Sequence, residues 1–248
     1  MKKKIIALVL CGVMALSVPV YAKGGSVSLS SDELQVPKSE KKGKEAKKEK
    51  KKKNNDITVT QSGWSVLTNE YSNDRYVTYG AKLSNSGSNS YGYVTLKIAI
   101  KDANGKIIKS DDYAFSSIAA GDTVFAADDI NVGEYDPASV DFSVSYSDSD
   151  VSDAFVNDSS TSDFTLSNLS EIPDDFGTTI TGEITSNAAD DYSSVCITVL
   201  LEQDDSVVGG FYGYADDVNS GETSVFEISG SRNLPEHNNV EISAHASY

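Results

Sequence analysis

The chain has 248 residues and a formal net charge of −16, a length that accommodates one large domain or two small ones. The charge is segregated: residues 38–53 hold ten Lys and three Glu, whereas residues 57–248 hold 7 basic and 31 acidic side chains. A polyanionic body of this kind repels nucleic acid and anionic lipid at low salt, which excludes nucleic-acid binding by that part, while the basic stretch is attracted to such surfaces.

The chain opens Met1-Lys2-Lys3-Lys4, continues with an uncharged apolar run from Ile5 to Val20, and reaches the small residues of Val20-Tyr21-Ala22 just after Pro19. This three-part pattern predicts a secretory signal peptide over residues 1–22, cut after Ala22; an uncleaved N-terminal anchor is the alternative. The run is slightly short for a membrane span, and no second apolar stretch follows, so no transmembrane segment is expected after cleavage. Leu10 before Cys11 is too bulky for a lipoprotein site. Leu234-Pro235-Glu236-His237 lacks the Thr and the apolar, basic tail of a sortase signal, so no covalent attachment at the C-terminal end is expected. Cleavage leaves Cys196 as the single cysteine, which makes no internal disulfide. Export without crosslinks fits a Gram-positive envelope.

Residues 23–56 are rich in Lys, Glu, Ser and Gly and nearly devoid of large apolar side chains. Such a stretch cannot offset its ordering entropy and reads as a disordered, Lys-rich linker. It serves either as a solvated spacer or as an electrostatic contact to anionic wall polymer or lipid headgroups.

The remainder contains an internal repeat. Tyr79–Asn85 aligns with Ile180–Ser186 at an offset of 101, and without a gap Val94, Leu96, Ile98 and Ile100 align with Val195, Ile197, Val199 and Leu201. Gly121-Asp122-Thr123 then falls on Gly221-Glu222-Thr223, one residue shorter. A repeat of this length is the size of a small domain, not a solenoid unit. Within each copy the period is two, the mark of half-buried strands with one wet face. Strands are predicted near 57–67, 75–84, 92–102, 106–115, 122–130 and 139–147, and again near 163–169, 177–186, 193–203, 206–214, 222–230 and 238–247. Asn104-Gly105 predicts a two-residue hairpin turn, replaced by Asp205-Ser206 in the second copy. The expected cores include Trp64, Leu96, Ile98, Ile100, Ile107, Phe125, Phe142 and Val144, and then Ile184, Ile197, Val199, Leu201, Val208, Phe226 and Ile242. The predicted class is all-β: two tandem immunoglobulin-like antiparallel β-sandwiches over 57–147 and 163–248, joined by an acidic linker at 148–162.

The run Ile98-Ala99-Ile100-Lys101-Asp102, followed by Ala103-Asn104-Gly105, resembles the FxLYD domain family. That family is named for a strand of this form entering a D-x-x-G hairpin. Gly80–Asn85 and Ile118–Thr123 are similar to its flanking strand and turn. The second copy departs, with Gln203 in place of the Asp and no Gly after the turn. The resemblance implies an extracytoplasmic β-sandwich and carries no functional residues.

Chemistry-bearing signals are sparse. His237 and His245 are the two histidines, and a Ser-His-Asp trio can be drawn only because Ser and Asp are abundant; both read as surface or strand-filling residues. Neither a phosphate-cradling loop nor a paired metal-ligand motif occurs, so no catalytic residue and no cofactor is expected. Cys196 alternates with core-facing Val195 and Ile197; it is either an outward thiol able to react or pair between chains, or a small side chain covered by a neighbouring strand or domain. Acidic doublets such as Asp111-Asp112, Asp128-Asp129, Asp204-Asp205 and Asp216-Asp217 are placed mostly in turns. Asp148, Asp150 and Asp153 in the interdomain segment are candidate calcium ligands, set against a plain solvated acidic surface. Tyr71, Tyr76, Tyr79, Tyr91 and Tyr93 offer a tyrosine-lined binding face, or merely strand-filling rings.

These observations predict an exported, non-catalytic binding or adhesion-type module, secreted or envelope-associated, with an unidentified protein or cell-wall component as partner. A structural spacer or assembly subunit is the alternative, and an exported hydrolase a distant third. If calcium links the tandem sandwiches, millimolar Ca²⁺ raises the melting temperature of the two-domain chain; no shift removes the calcium ligands from consideration.

Overall fold

The computed structural model describes residues 56–69, 72–146, 159–174, 177–231 and 234–246. The leader, the linker up to residue 55 and the segment 147–158 lie outside the described residues. Among the described residues there are twelve strands: β1 (Ile57–Thr68), β2 (Arg75–Asn85), β3 (Tyr91–Lys101), β4 (Ile107–Ile118), β5 (Thr123–Gly133), β6 (Ser139–Ser145), β7 (Phe164–Asp174), β8 (Gly177–Ser186), β9 (Tyr192–Gln203), β10 (Ser206–Val218), β11 (Thr223–Ser231) and β12 (Asn239–Ala246). A short 3-10 turn, Thr161–Asp163, precedes β7.

Each copy folds as two three-stranded antiparallel sheets. The first pairs β1-β2-β5 against β4-β3-β6, and the second repeats the order as β11-β8-β7 against β10-β9-β12. Alternation places Val94, Leu96, Ile98 and Ile100 of β3 against Val77, Tyr79, Ala81 and Leu83 of β2 in one core. Val195, Ile197, Val199 and Leu201 of β9 join Ile180, Ile184 and Phe226 in another. The tandem sandwich prediction therefore holds, with a separate apolar interior in each half.

Several local expectations are corrected. Ile107 is 55% exposed: a bulge beside Ile100/Lys101 shifts the register, and Ile108 packs on the core instead. Phe125 faces away from its own core, opposite Lys82, and is buried by the second sandwich. The Asn104-Gly105 turn is longer than two residues. Only Gly105 has a positive φ of 77°, and the Asp102 carboxylate accepts hydrogen bonds from the Asn104 and Lys106 amides, both at 2.9 Å. In the second copy the two-residue turn is Asp204-Asp205, at φ 51° and 62°, the pattern of a type I′ hairpin. β7 runs to Asp174, well past its predicted end, because an edge strand tolerates Pro173. The doublets Asp111-Asp112, Asp128-Asp129 and Asp216-Asp217 lie in strands, not turns.

The two sandwiches are not loosely strung. They form one compact unit, with β1-β2-β5 of the first facing β10-β9-β12 of the second. Phe125, Ala127, Leu200 and Val207 make a third buried cluster between them. β10 is an edge strand, and a buried strand edge needs partners for its free backbone groups. Side chains of the first sandwich supply them. Thr78 Oγ1 donates to Gly210 O at 3.1 Å and accepts from Gly210 N at 3.2 Å. Ser65 Oγ donates to Val208 O at 2.6 Å, and Gln61 Nε2 to Asp205 O at 3.1 Å. Glycine makes the approach possible: a Cβ on Gly63 would stand 1.6 Å from Val207 O, and one on Gly80 2.9 Å from Gly209 O. Lys82 closes the contact, pairing with Glu241 and, at 3.3 Å, with Glu202, its ammonium 5.5 Å from the Phe125 ring centre. Burial alone would raise the Glu202 carboxyl, but hydrogen bonds from Asn239 and Lys82 outweigh it and hold the group below its usual range. The 3-10 turn is tied on as well, Thr161 N donating to Asp122 Oδ2 at 2.8 Å.

The close approach at Gly63 makes a specific demand. Gly63→Val has no room unless β10 retreats, so it costs about 3 kcal/mol as an overpacked site does. Calorimetry is expected to show the single melting transition of the parent chain dividing into two, because neither sandwich core is touched; an unchanged melting curve contradicts the docked arrangement.

Candidate functional site

The predicted tyrosine face does not assemble. Tyr79 and Tyr91 are 1% and 2% exposed and belong to the first core. Their sequence signal was alternation, which does not say whether a polar-tipped ring points in or out. Tyr79 packs 5.9 Å from the Phe142 ring, and burial pushes its hydroxyl pKa up. Tyr91 donates to Asp56 Oδ2 at 2.5 Å; that bond, then burial, raises its pKa to about 12. Tyr76 is half-buried, and only Tyr93 projects, 63% exposed. Tyr71 lies outside the described residues, as do Asp148, Asp150 and Asp153. Among the described residues no group of three His, Cys, Asp or Glu side chains is placed to hold a metal ion.

Cys196 is covered by the neighbouring domain. Its face of β9 looks onto the first sandwich, where it is 2% exposed. Its Sγ lies 3.7 Å from the Tyr113 hydroxyl and 3.8 Å from Thr198 Oγ1. His245 stands opposite it on β12, with its ring 5.4 Å from that of Phe115. A thiol beside an imidazole invites comparison with a nucleophile and its base, yet the environment drives both the wrong way. Burial raises the Cys196 pKa, so the thiol stays protonated and unreactive. Burial lowers the His245 pKa to about 4, and its enclosed Nδ1 has no hydrogen-bond partner among the described residues. The cluster is part of the inter-sandwich seam. His237 lies in a loop, where its Nε2 contacts Glu171 Oε1 at 2.9 Å and its Nδ1 contacts Pro235 O at 2.8 Å.

One surface that remains for recognition is the uncovered face of β7-β8-β11. Alternation along β8 turns Thr179, Thr181, Glu183 and Thr185 outward. Across the strands Glu183 pairs with Val225 and Thr181 with Glu227. A bulge in β7 between Ser167 and Ser170 sets Asn168 at φ 51°, and its amide donates to Glu183 Oε2 at 2.7 Å. These side chains edge a shallow open depression. Val225 at its rim is 81% exposed. Hydroxyls, two carboxylates and the exposed Val225 and Ile172 side chains suit contact with a largely polar surface. Sequence inspection missed this face because each of its residues reads as an ordinary wet side of a strand.

The depressed His245 pKa has a consequence for stability. The fold keeps the ring neutral down to about pH 4, whereas the unfolded chain takes up a proton near 6.5. Stability therefore falls as pH drops from about 6.5 to 4, by on the order of 2 kcal/mol. Glu202, held below its usual 4.5, adds a further loss that begins as pH falls below that value. Denaturant melts across this range are expected to slope for the parent chain and to flatten for His245→Asn.

No family model matches the chain, and no curated protein matches it. Among solved structures it is similar to the crystal structure of red sea bream transglutaminase, at 8% sequence identity and a TM-score of 0.21, over 76% of this chain and 29% of that one. The chain thus spans about 29% of the length of that enzyme, and a likeness of this degree carries no argument about activity.

Proposed function

We propose that this chain is an exported, non-catalytic binding module of the cell envelope or its surroundings. A basic run at 38–53 engages anionic wall polymer or lipid headgroups, and a rigid pair of sandwiches presents exposed sheet faces to a protein or cell-wall partner. The observation that carries this reading is the docking of the two sandwiches. Hydrogen bonds from Thr78, Ser65 and Gln61 and the Lys82 ion pairs bind them into one body, as a module presenting a surface at fixed orientation requires. The two ends also differ in character: ten Lys in residues 38–53 stand against an acidic body, so each end suits a different surface. Among the described residues no helix is long and apolar enough to cross a membrane. The resemblance of the first copy to the FxLYD family agrees with an extracytoplasmic β-sandwich and belongs to the same proposal.

Co-sedimentation with purified wall material tests it. Retention by the full chain is expected to fall with added salt, as screening of exposed charge requires, and to be lost on deletion of residues 38–53 without change in melting temperature. Retention that ignores both salt and the deletion rules out the basic run as the anchor.

A further inference from the structure

The two sandwiches meet through unlike faces. By the internal repeat, β1-β2-β5 corresponds to β7-β8-β11, and β10-β9-β12 corresponds to β4-β3-β6. The contact inside the chain joins the first kind of face on sandwich one to the second kind on sandwich two. Such a heterologous contact between repeated units does not close on itself. It leaves one face of each kind uncovered, β4-β3-β6 at one end and β7-β8-β11 at the other.

We propose that these two uncovered faces bind each other between copies of the chain, so that the protein stacks head to tail into a linear assembly whose joints repeat the contact inside each chain. This goes beyond the binding role proposed above and does not depend on the basic run.

Charge complementarity carries the inference. Inside the chain Lys82 pairs with Glu202. Strand register fixes their equivalents: Lys82 lies opposite Phe125 as Glu183 lies opposite Val225, and Glu202 lies opposite Val207 as Lys101 lies opposite Ile107. Both signs are reversed. A joint between copies therefore sets Lys101 against Glu183, an attractive pair at the place where Lys82 meets Glu202. The wrong joints repel: docking onto another copy's β4-β3-β6 face through β1-β2-β5 would set Lys82 against Lys101, and docking through β10-β9-β12 onto β7-β8-β11 would set Glu202 against Glu183. Attraction at the intended pair together with repulsion at the others is how specificity is built. Glu241, which also meets Lys82 across the seam, corresponds by register to Asp141, and Asp141 already pairs with Lys101 within its own sheet, so the attraction at the joint is weaker than that at Lys82.

The apolar contacts follow the same rule. Phe125 and Val207 form the buried cluster inside the chain; their equivalents, Val225 and Ile107, are 81% and 55% exposed. β4, like β10, is an edge strand of its sheet. Gly63 and Gly80 are replaced by Ser170 and Thr181, so the sheets stand further apart and the joint is weaker than the permanent one within the chain.

Sedimentation velocity of the full exported chain over a concentration series tests this. Mass is expected to grow through dimer, trimer and longer species with concentration, and to shrink with salt. Lys101→Glu or Glu183→Lys, each placing like charges at the joint, is expected to weaken association at least about tenfold, equivalent to one factor of ten in Kd. An equimolar mixture of the two variants is expected to assemble again, since every joint then pairs Glu with Lys; this recovery also shows that both are folded. Val225→Asp, at a fully projecting position, gives an independent loss. Deleting residues 38–53 leaves assembly intact. A chain that stays monomeric throughout, a dimer that grows no further, or assembly that survives the face variants or disappears with the deletion overturns the proposal.

Discussion

The structure turns on one buried strand edge. An edge strand packed against another sheet loses the water that would satisfy its backbone, and an unmet buried N–H or C=O costs about 1–3 kcal/mol. β10 avoids this because Thr78, Ser65 and Gln61 stand on the facing sheet with their polar atoms in range. Gly63 and Gly80 remove the side chains that would hold the strands apart. Without those glycines the hydroxyls could not reach, and without the hydroxyls the close approach would be unfavourable.

Much of the burial pattern follows from that contact. β2 and β9 each run through the middle of a sheet covered on both faces, so Thr78 and Thr198 are nearly solvent-free despite facing away from their own cores. Leu200, on the wet side by alternation, is fully buried. Cys196 is buried and Tyr113 and His245 are half-buried for the same reason, which disfavours the ionised forms that reactivity would need. What remains outside is strand surface dominated by hydroxyls and carboxylates, a chemistry of contact.

Duplication explains why the seam is asymmetric. Two copies of one fold could have met through like faces about a two-fold axis. Instead they meet through unlike faces, with Lys on one side and Glu on the other, and the equivalents of Lys82 and Glu202 on the uncovered faces, Glu183 and Lys101, carry the opposite charges. The copies differ at the residues that make this seam: Phe125 against Val225, Gly80 against Thr181, Leu200 against Ala99.

By itself the sequence determined the strands, their duplication and the division into two sandwiches, because a period of two is a local property that burial on one face imposes directly on side-chain choice. Alternation also placed Cys196 opposite Val195 and Ile197. It could not reveal that Phe125 and Leu200 serve a third cluster, that Ile107 yields its core place to Ile108 at a bulge, or that Tyr79 and Tyr91 point inward. A bulge shifts register without any signature in composition, and a tyrosine fits either face of a strand. The mutual burial of the two sandwiches was decided only by tertiary structure, since it depends on glycines and hydroxyls more than 120 residues from the backbone groups they admit and satisfy.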